Sequence, residues 1–95
     1  MMELKETIDL MLSEDYTKRL TAEYLQTRIR FEKLNNLIFN AENDSLDFEL
    51  TCDIALLKTQ SQAMAKYLYY LEGRFELEKI PFPKEYGPLG GIVWQ

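Results

Sequence analysis

A small set of side chains in this sequence has the chemistry needed to bind a ligand that carries both an aromatic base and phosphates. Tyrosine rings stack on bases, and arginine or lysine side chains pair with phosphate oxygens. Such tyrosines could stack on a base or on a partner's side chains, and such cations could meet phosphates or, for Arg74, a carboxylate across an interface. The candidates are two tyrosines, Tyr67 and Tyr69, and four cations, Arg74, Arg28, Arg30 and Lys33.

Each candidate also has an ordinary structural explanation. Tyr67 falls on a core position of a helical pattern, where its ring would be buried and its hydroxyl hydrated. Arg74 lies near the end of the same pattern, where an arginine can extend its head group into water. The basic stretch from Arg28 to Lys33 is also typical of a solvated helix face. The sequence alone leaves both interpretations open.

Catalysis is not indicated by any group of residues in this chain. The sequence has no histidine, the commonest general base and metal ligand. Its single cysteine, Cys52, has no second cysteine to pair with, which favours a reducing compartment. We interpret Cys52 as a helix cap or a core residue. We predict a binding protein and not an enzyme, with no cofactor and no metal site.

Charge and composition narrow the class of partner. The chain has 95 residues and a formal net charge of −5, which argues against general nucleic-acid binding. With 46% hydrophobic residues it is expected to fold as one small globular domain. No apolar run approaches the length of a membrane span, and the N-terminal residues do not have the pattern of a signal peptide. We expect a cytoplasmic protein.

The elements that must position these candidates are helices. Leu4 to Leu12 is predicted to be a short amphipathic helix, and Ser13 is predicted to cap a long helix that runs to about Asn40. Its predicted seam steps by four and three residues. The seam residues are Leu20, Tyr24, Thr27, Phe31, Leu34 and Ile38.

A polar turn over residues 40–45 and an extended apolar plug at Leu46, Phe48 and Leu50 are predicted to lead into the second long helix. Thr51 or Cys52 is predicted to cap this helix, which spans roughly residues 53–79. Two long helices of similar length joined by a short connection favour an antiparallel hairpin. The predicted seam of the second helix contains Leu57, Gln60, Met64, Tyr67, Leu71, Arg74 and Glu78.

The predicted fold class is therefore all-α: a short N-terminal helix, a long antiparallel helical hairpin and an irregular C-terminal tail. Residues 1–80 form the helical domain, and residues 81–95 form a tail rich in proline and glycine. The second helix is apolar over too wide an arc for one neighbour, so we predict a homo-oligomeric bundle. The predicted interface residues are Met64, Leu71, Phe75 and, at the end of the tail, Trp94.

The centre of the chain has a specific spacing of apolar and polar positions. It reads Leu46-x-Phe48-x-x-x-Cys52-x-x-x-Leu56-Leu57-x-x-Gln60-x-x-x-Met64-x-x-Tyr67-x-x-x-Leu71-x-x-Arg74, followed by Glu78-x-Ile80. With the helix before it, this stretch resembles a family of small phage and prophage proteins named after an uncharacterised crAss-like phage gene product. The resemblance implies phage origin and action in the cytoplasm of an infected bacterium. The helical architecture is also similar to that of phage sponge proteins that inhibit CBASS and Thoeris immunity.

Two functions fit this resemblance. The first is an anti-defence sponge that sequesters a cyclic nucleotide immune signal between protomers. The alternative is a protein-directed inhibitor of a bacterial defence system, similar to an anti-CRISPR, that uses an acidic surface and the C-terminal tail. A third hypothesis is a role in phage assembly.

Overall fold

The computed structural model describes residues 2–87, and every regular element in that range is helical. The all-α prediction is confirmed for this part of the chain. No helix in the described range is both long enough and apolar enough to cross a membrane. The elements are a 3₁₀ turn at Leu4–Thr7, helix α1 at Ile8–Met11, helix α2 at Tyr16–Glu42 and helix α3 at Ile54–Leu77.

Aspartates cap both long helices, in place of the residues predicted from the sequence. Asp15 precedes α2, and its carboxylate accepts hydrogen bonds from the backbone N–H and the hydroxyl of Thr17, at 2.9 and 2.8 Å. Asp53 precedes α3 and accepts from the N–H of Ala55 at 3.0 Å. Ser13 accepts from the N–H of Asp15, so it supports the turn before the helix. The predicted caps Ser13, Thr51 and Cys52 were therefore wrong, because a carboxylate one or two residues later reaches the free amides.

Both long helices end with a residue in the left-handed backbone conformation. Asp44 has φ of 53° after α2, and Lys79 has φ of 56° after α3. After each of them the next N–H donates to the carbonyl five residues earlier: Ser45 to Asn40, and Ile80 to Phe75. This arrangement satisfies carbonyl groups that the helix leaves without partners, although neither left-handed residue is a glycine.

The two long helices run antiparallel, as polar contacts at successive levels show. Tyr16 contacts Glu78 at one end, Tyr24 contacts Glu72 further along, and Lys58 pairs with Glu42 near the connection. The hairpin predicted from the sequence is therefore the observed arrangement of α2 and α3. The buried cluster between them contains Leu20, Tyr24, Leu68, Leu71 and Phe75, with Phe31, Ile80 and Phe82 packed against it.

The register of α3 differs from the predicted one. Leu57 and Leu71 are buried as predicted, but Tyr67 is 42% exposed and Gln60 is exposed. The position buried in the middle of the helix is Leu68, with 0% of its surface exposed. The face that packs on α2 is thus rotated by about 50°, or half a residue, from the predicted seam. Tyr67 lies at its edge and is not a core residue.

Helix α2 is covered on two opposite sides. One side packs on α3, and the N-terminal segment of the 3₁₀ turn and α1 packs on the other. The amide of Gln26 on α2 donates to the buried Thr7 hydroxyl at 2.9 Å and fixes this segment in place. The side away from α3 is buried at Ala22, Leu25 and Ile29. The short N-terminal helix therefore covers α2 and leaves the far side of α3 uncovered.

The start of the C-terminal tail docks on its own hairpin. The Phe82 ring packs edge-on against Tyr24 and Phe75, with centroids 5.0 and 5.5 Å apart. Pro83 is buried beside it. The tail prediction named Trp94 as an anchor, and that residue lies outside the described residues.

The connection between the long helices departs in part from the predicted plug. Leu46 and Leu50 are half-buried, whereas Phe48 is 57% exposed. Cys52 is exposed as a free thiol, so it is neither the predicted cap nor a core residue.

Candidate nucleotide-binding surface

One of the predicted cations, Arg74, lies near the end of α3 with its side chain 43% exposed. Its guanidinium donates to the hydroxyl of Tyr16 and pairs with the Glu78 carboxylate at 3.5 Å. The Tyr16 hydroxyl in turn donates to Glu78 at 2.9 Å. We call these three residues the Arg74 cluster. Its members come from the start of α2 and the end of α3, which the antiparallel hairpin brings together.

The Arg74 cluster keeps its charge available to a ligand. Hydrogen bonding to Tyr16 raises the pKa of Arg74 above its ordinary value, so the guanidinium stays cationic. The side chains of Arg74 and Glu78 are 43% and 39% exposed. An ion pair this open to solvent contributes little stability, and an incoming phosphate can replace the carboxylate at low cost.

Arg74 belongs to a continuous line of side chains along one flank of α3, next to the face that packs on α2. The line advances by four and three residues in turn, the spacing of a coiled-coil seam. Leu56, Tyr70 and Leu77 on this line are 60%, 58% and 85% exposed. We call it the outer stripe, and its members are Leu56, Gln60, Ala63, Tyr67, Tyr70, Arg74 and Leu77.

Tyr69 does not share this face. It lies about 100° further round the helix than Tyr70. Its ring nevertheless contacts that of Tyr70 with centroids 5.8 Å apart. The two exposed rings that share a face with Arg74 are Tyr67 and Tyr70.

Arg28 was predicted to be a ligand-binding residue or part of a solvated face, but it is buried, in contrast to Arg74. It is 8% exposed, and its guanidinium donates to the Tyr24 hydroxyl and the Gly87 carbonyl, both at 2.8 Å. It also pairs with Glu32 at 3.1 Å. The ring of Tyr86 lies 4.7 Å from the guanidinium carbon. Through these contacts Arg28 holds the start of the tail against α2. The prediction that Arg28 belongs to a solvated face was therefore wrong.

The buried network continues from Arg28 through Tyr24 to Glu72. The Tyr24 hydroxyl, which accepts from Arg28, donates to the Glu72 carboxylate at 2.7 Å. Burial raises the pKa of Tyr24 well above its ordinary value, so the phenol keeps its proton. This network joins both long helices and the tail, and its role is structural.

The other two predicted cations point elsewhere. Arg30 is exposed on α2, and Lys33 pairs with Glu3 of the N-terminal segment at 3.4 Å. Arg30 and Lys33 are three positions apart and can share a helix face, but Arg28 is two positions from Arg30 and is buried. The structure therefore does not bring Arg28, Arg30 and Lys33 together as one basic site.

Two predicted interface residues lie inside the protomer. Leu71 is 1% exposed and Phe75 is 2% exposed, because both pack in the cluster between α2 and α3. The prediction that they face another protomer needs correction, since their surfaces are already covered. Met64 is half-buried at the edge of the core.

Residues missed as site candidates are Tyr16 and Tyr70. Tyr16 is separated from Arg74 by 58 positions in the chain, so no local spacing connects the two. Tyr70 had a visible signal, because it recurs with Leu56, Ala63 and Leu77 every seven residues. That repeat is half of the outer stripe.

The fold and this surface define a class: a small helical hairpin that presents an exposed aromatic face with one arginine cluster. A family model matches residues 14–77, about two-thirds of the chain, and its description is Sequestin. The chain belongs to the Sequestin family, whose name is consistent with sequestration. No curated protein and no solved structure matches the chain.

Proposed function

We propose that this protein is a phage-encoded anti-defence protein that binds a cyclic nucleotide immune signal and sequesters it without catalysis. It would act in the cytoplasm of the infected bacterial host, with the ligand held at a surface shared between protomers. The family name supports the binding role. The spacing of the central stretch, which resembles that of small phage proteins, supports the setting. The observation that carries the proposal is the half-exposed Arg74 on an exposed aromatic face.

The geometry supports a ligand with a base and a phosphate. Tyr67 and Tyr70 present rings on which a base can stack, a contact that is tolerant of base identity. The Arg74 guanidinium can turn from Glu78 to a phosphate and form two parallel hydrogen bonds with it. The outer stripe contains no carboxylate, which reduces the opposition from a net charge of −5.

Calorimetric titration with cyclic dinucleotides, cyclic trinucleotides and cyclic ADP-ribose isomers tests the proposal. Arg74→Ala should weaken the affinity for the bound ligand by roughly 10- to 150-fold, the equivalent of a lost charged hydrogen bond of about 1.5–3 kcal/mol. Arg30→Ala is the matched control, since it removes an exposed arginine from α2 and should leave the affinity unchanged. The absence of heat with every ligand would rule the proposal out.

Sequestration is separated from catalysis by the fate of the ligand. After binding, the protein is denatured and the released ligand is weighed by mass spectrometry. An unaltered mass and a fixed binding stoichiometry are expected for a sponge. A shifted mass, or loss of ligand in excess of protein, would show turnover and contradict the proposal.

A further inference from the structure

The net negative charge of the chain is concentrated at the connection between the two long helices. The sequence contains 16 acidic and 11 basic residues. Five of the acidic residues lie between positions 34 and 57, where the chain has no lysine or arginine, so the other 11 acidic residues are balanced by the 11 basic ones. The five are Glu42, Asp44, Asp47, Glu49 and Asp53. This end of the hairpin therefore accounts for the whole excess of −5.

Three of these carboxylates lack a cation. Glu42 pairs with Lys58 of α3. The carboxylates of Asp44, Asp47 and Glu49 are exposed and form no ion pair or hydrogen bond with another residue that the structure describes. Three like charges within six positions of the chain repel one another, so a positively charged partner is attracted to this end of the hairpin and an anionic one is repelled.

An open groove lies at the same place. It has a volume of about 330 Å³, and its lining residues are Ala41, Asp44, Leu46, Phe48, Glu49 and Leu50. Four of them are apolar, and the other two are among the unpaired carboxylates. Phe48 is 57% exposed, so a large aromatic ring in this lining has surface left to bury. We call this site the connection groove.

We propose that the connection groove is a docking site for a protein partner that presents an apolar side chain flanked by lysine or arginine residues. The volume is at the low end of the range for binding pockets, about 300–1,000 Å³, so the groove suits one or two anchoring side chains. The Phe48 ring and its apolar neighbours would bury the anchor. Asp44 and Glu49 would accept charged hydrogen bonds from the flanking cations.

Charge selects this partner over the other occupants that an apolar groove can accept. A second copy of the chain would bring either the same acidic connection or a remainder that is neutral overall. An anionic nucleotide or nucleic acid would be repelled by the unpaired carboxylates. The segment of residues 88–95 of the same chain contains no charged residue, so it would leave these carboxylates without cations.

The connection groove is separate from the Arg74 cluster. Arg74 is 18 residues beyond Leu56 in the first turn of α3, which places it about 27 Å away along the helix. The two surfaces also prefer ligands of opposite charge. A basic protein segment and an anionic ligand can therefore bind to the same chain at once, and docking at the connection groove does not depend on the proposed function.

Fluorescence anisotropy with two labelled peptides and the full-length chain tests the proposal. The first peptide has a leucine between lysine and arginine residues on both sides, and the second has serine in place of the leucine. The leucine peptide should bind about tenfold more tightly than the serine peptide, because the groove buries its apolar side chain. Its affinity should fall as sodium chloride is raised from about 50 to about 500 mM. No binding of the leucine peptide, or equal binding of both peptides, would overturn the proposal.

Substitutions locate the binding within the chain. Phe48→Ser should weaken binding of the leucine peptide about tenfold, and Glu49→Lys about three- to tenfold. Both residues are exposed, and circular dichroism checks that the helices persist. Leu12→Ser and Glu76→Lys are the matched controls, since they make the same kinds of change at exposed positions outside the groove and should leave the affinity unchanged. Equal effects of the test and control variants would overturn the proposed site.

The tail is tested as a competing occupant with Trp94→Ser in the full-length chain, which should bind the leucine peptide as the parent chain does. A parent chain that does not bind, beside a Trp94→Ser variant that does, would show that the tail fills the groove and would overturn the proposal. Phe48→Ser and Glu49→Lys should bind nucleotides as the parent chain does. A failure of the connection groove is therefore distinguishable from a failure of the Arg74 cluster.

Discussion

The buried phenol of Tyr24 is the point where both long helices and the tail are joined, so removing its hydroxyl is a sharp test of the fold. Tyr24→Phe keeps the ring contacts with Phe75 and Phe82 but removes the donor to Glu72 and the acceptor for Arg28. The oxygen is fully buried with its ring, since Tyr24 is 0% exposed. Water therefore cannot replace it without opening the core.

The size of the effect follows from these two contacts. A hydrogen bond to a charged group contributes about 1.5–3 kcal/mol, and Tyr24 makes two of them, one to a carboxylate and one to a guanidinium. Arg28 keeps the Gly87 carbonyl and Glu32, so the losses are smaller than the sum. We expect the free energy of unfolding to fall by about 2–4 kcal/mol, and Tm to fall by roughly 10–25 °C for a domain of this size.

The assay is urea denaturation followed by circular dichroism. Tyr86→Phe is the matched control, because it deletes the same atom from a tyrosine of the docked tail. The Tyr86 hydroxyl is buried and has no hydrogen-bond partner among the described residues. Its removal should leave stability unchanged or raise it by up to about 1 kcal/mol. A loss below about 0.5 kcal/mol for Tyr24→Phe, or equal losses for the two variants, would refute the reasoning.

Three further predictions concern pH, a helix cap and a strained residue. The pKa of Tyr24 is raised in the folded protein above its unfolded value of 10.0, so the stability that its phenol contributes is complete below pH 10 and is lost as the pH rises further. Between about pH 8 and pH 11 the urea midpoint of the parent chain should therefore fall more than that of Tyr24→Phe. An equal fall in the two proteins would contradict this prediction. Asp53→Ala should lower the free energy of unfolding by about 1 kcal/mol, and Thr51→Ala by much less, since Asp53 caps α3; a larger effect of Thr51→Ala in urea denaturation would restore the cap predicted from the sequence. Lys79→Gly should raise the free energy of unfolding by about 0.5–1 kcal/mol, because glycine adopts the left-handed backbone conformation of this residue without strain. A lower free energy of unfolding in the same assay would contradict this explanation.

The helices themselves were predictable because they depend on local patterns. Apolar spacing located α1, α2 and α3 to within two or three residues at most ends. The caps were not predictable at the same precision, since Ser13 and Asp15 both have suitable side chains and the backbone path selects between them. The left-handed residue Asp44 lies in the predicted polar turn, and aspartate tolerates this conformation. Lys79 gave no such signal, because lysine has no preference for it.

The register of α3 was ambiguous for a physical reason. The helix has two apolar stripes, one with Leu68 and Phe75 and the other with Tyr67 and Tyr70. Periodicity shows that both stripes exist, but it does not show which one packs on α2. That choice depends on how the side chains of α2 fit, which is a property of the tertiary structure. The predicted seam combined residues from both stripes, so it placed Tyr67 in the core and Phe75 at an interface.

The four predicted cations show why residue type was not enough to locate the site. Arg28 has three acceptors and a ring around its guanidinium, so a ligand could bind it only by releasing the tail. Arg74 has one phenol and one half-exposed carboxylate, which a phosphate can displace at little cost. The difference comes from the tail, which covers α2 at Arg28 through contacts 59 residues distant in the chain.

The same asymmetry determines where binding can occur without loss of the fold. Helix α2 is buried on two sides, and changes there alter the core or its docked segments. Helix α3 is buried on one side only, so the outer stripe can contact a ligand without any change in the buried core. A surface with one displaceable guanidinium per chain binds an anion weakly by itself. Any contact that excludes water from Arg74 would strengthen its pairing with an anion, because charges interact more strongly in less polar surroundings.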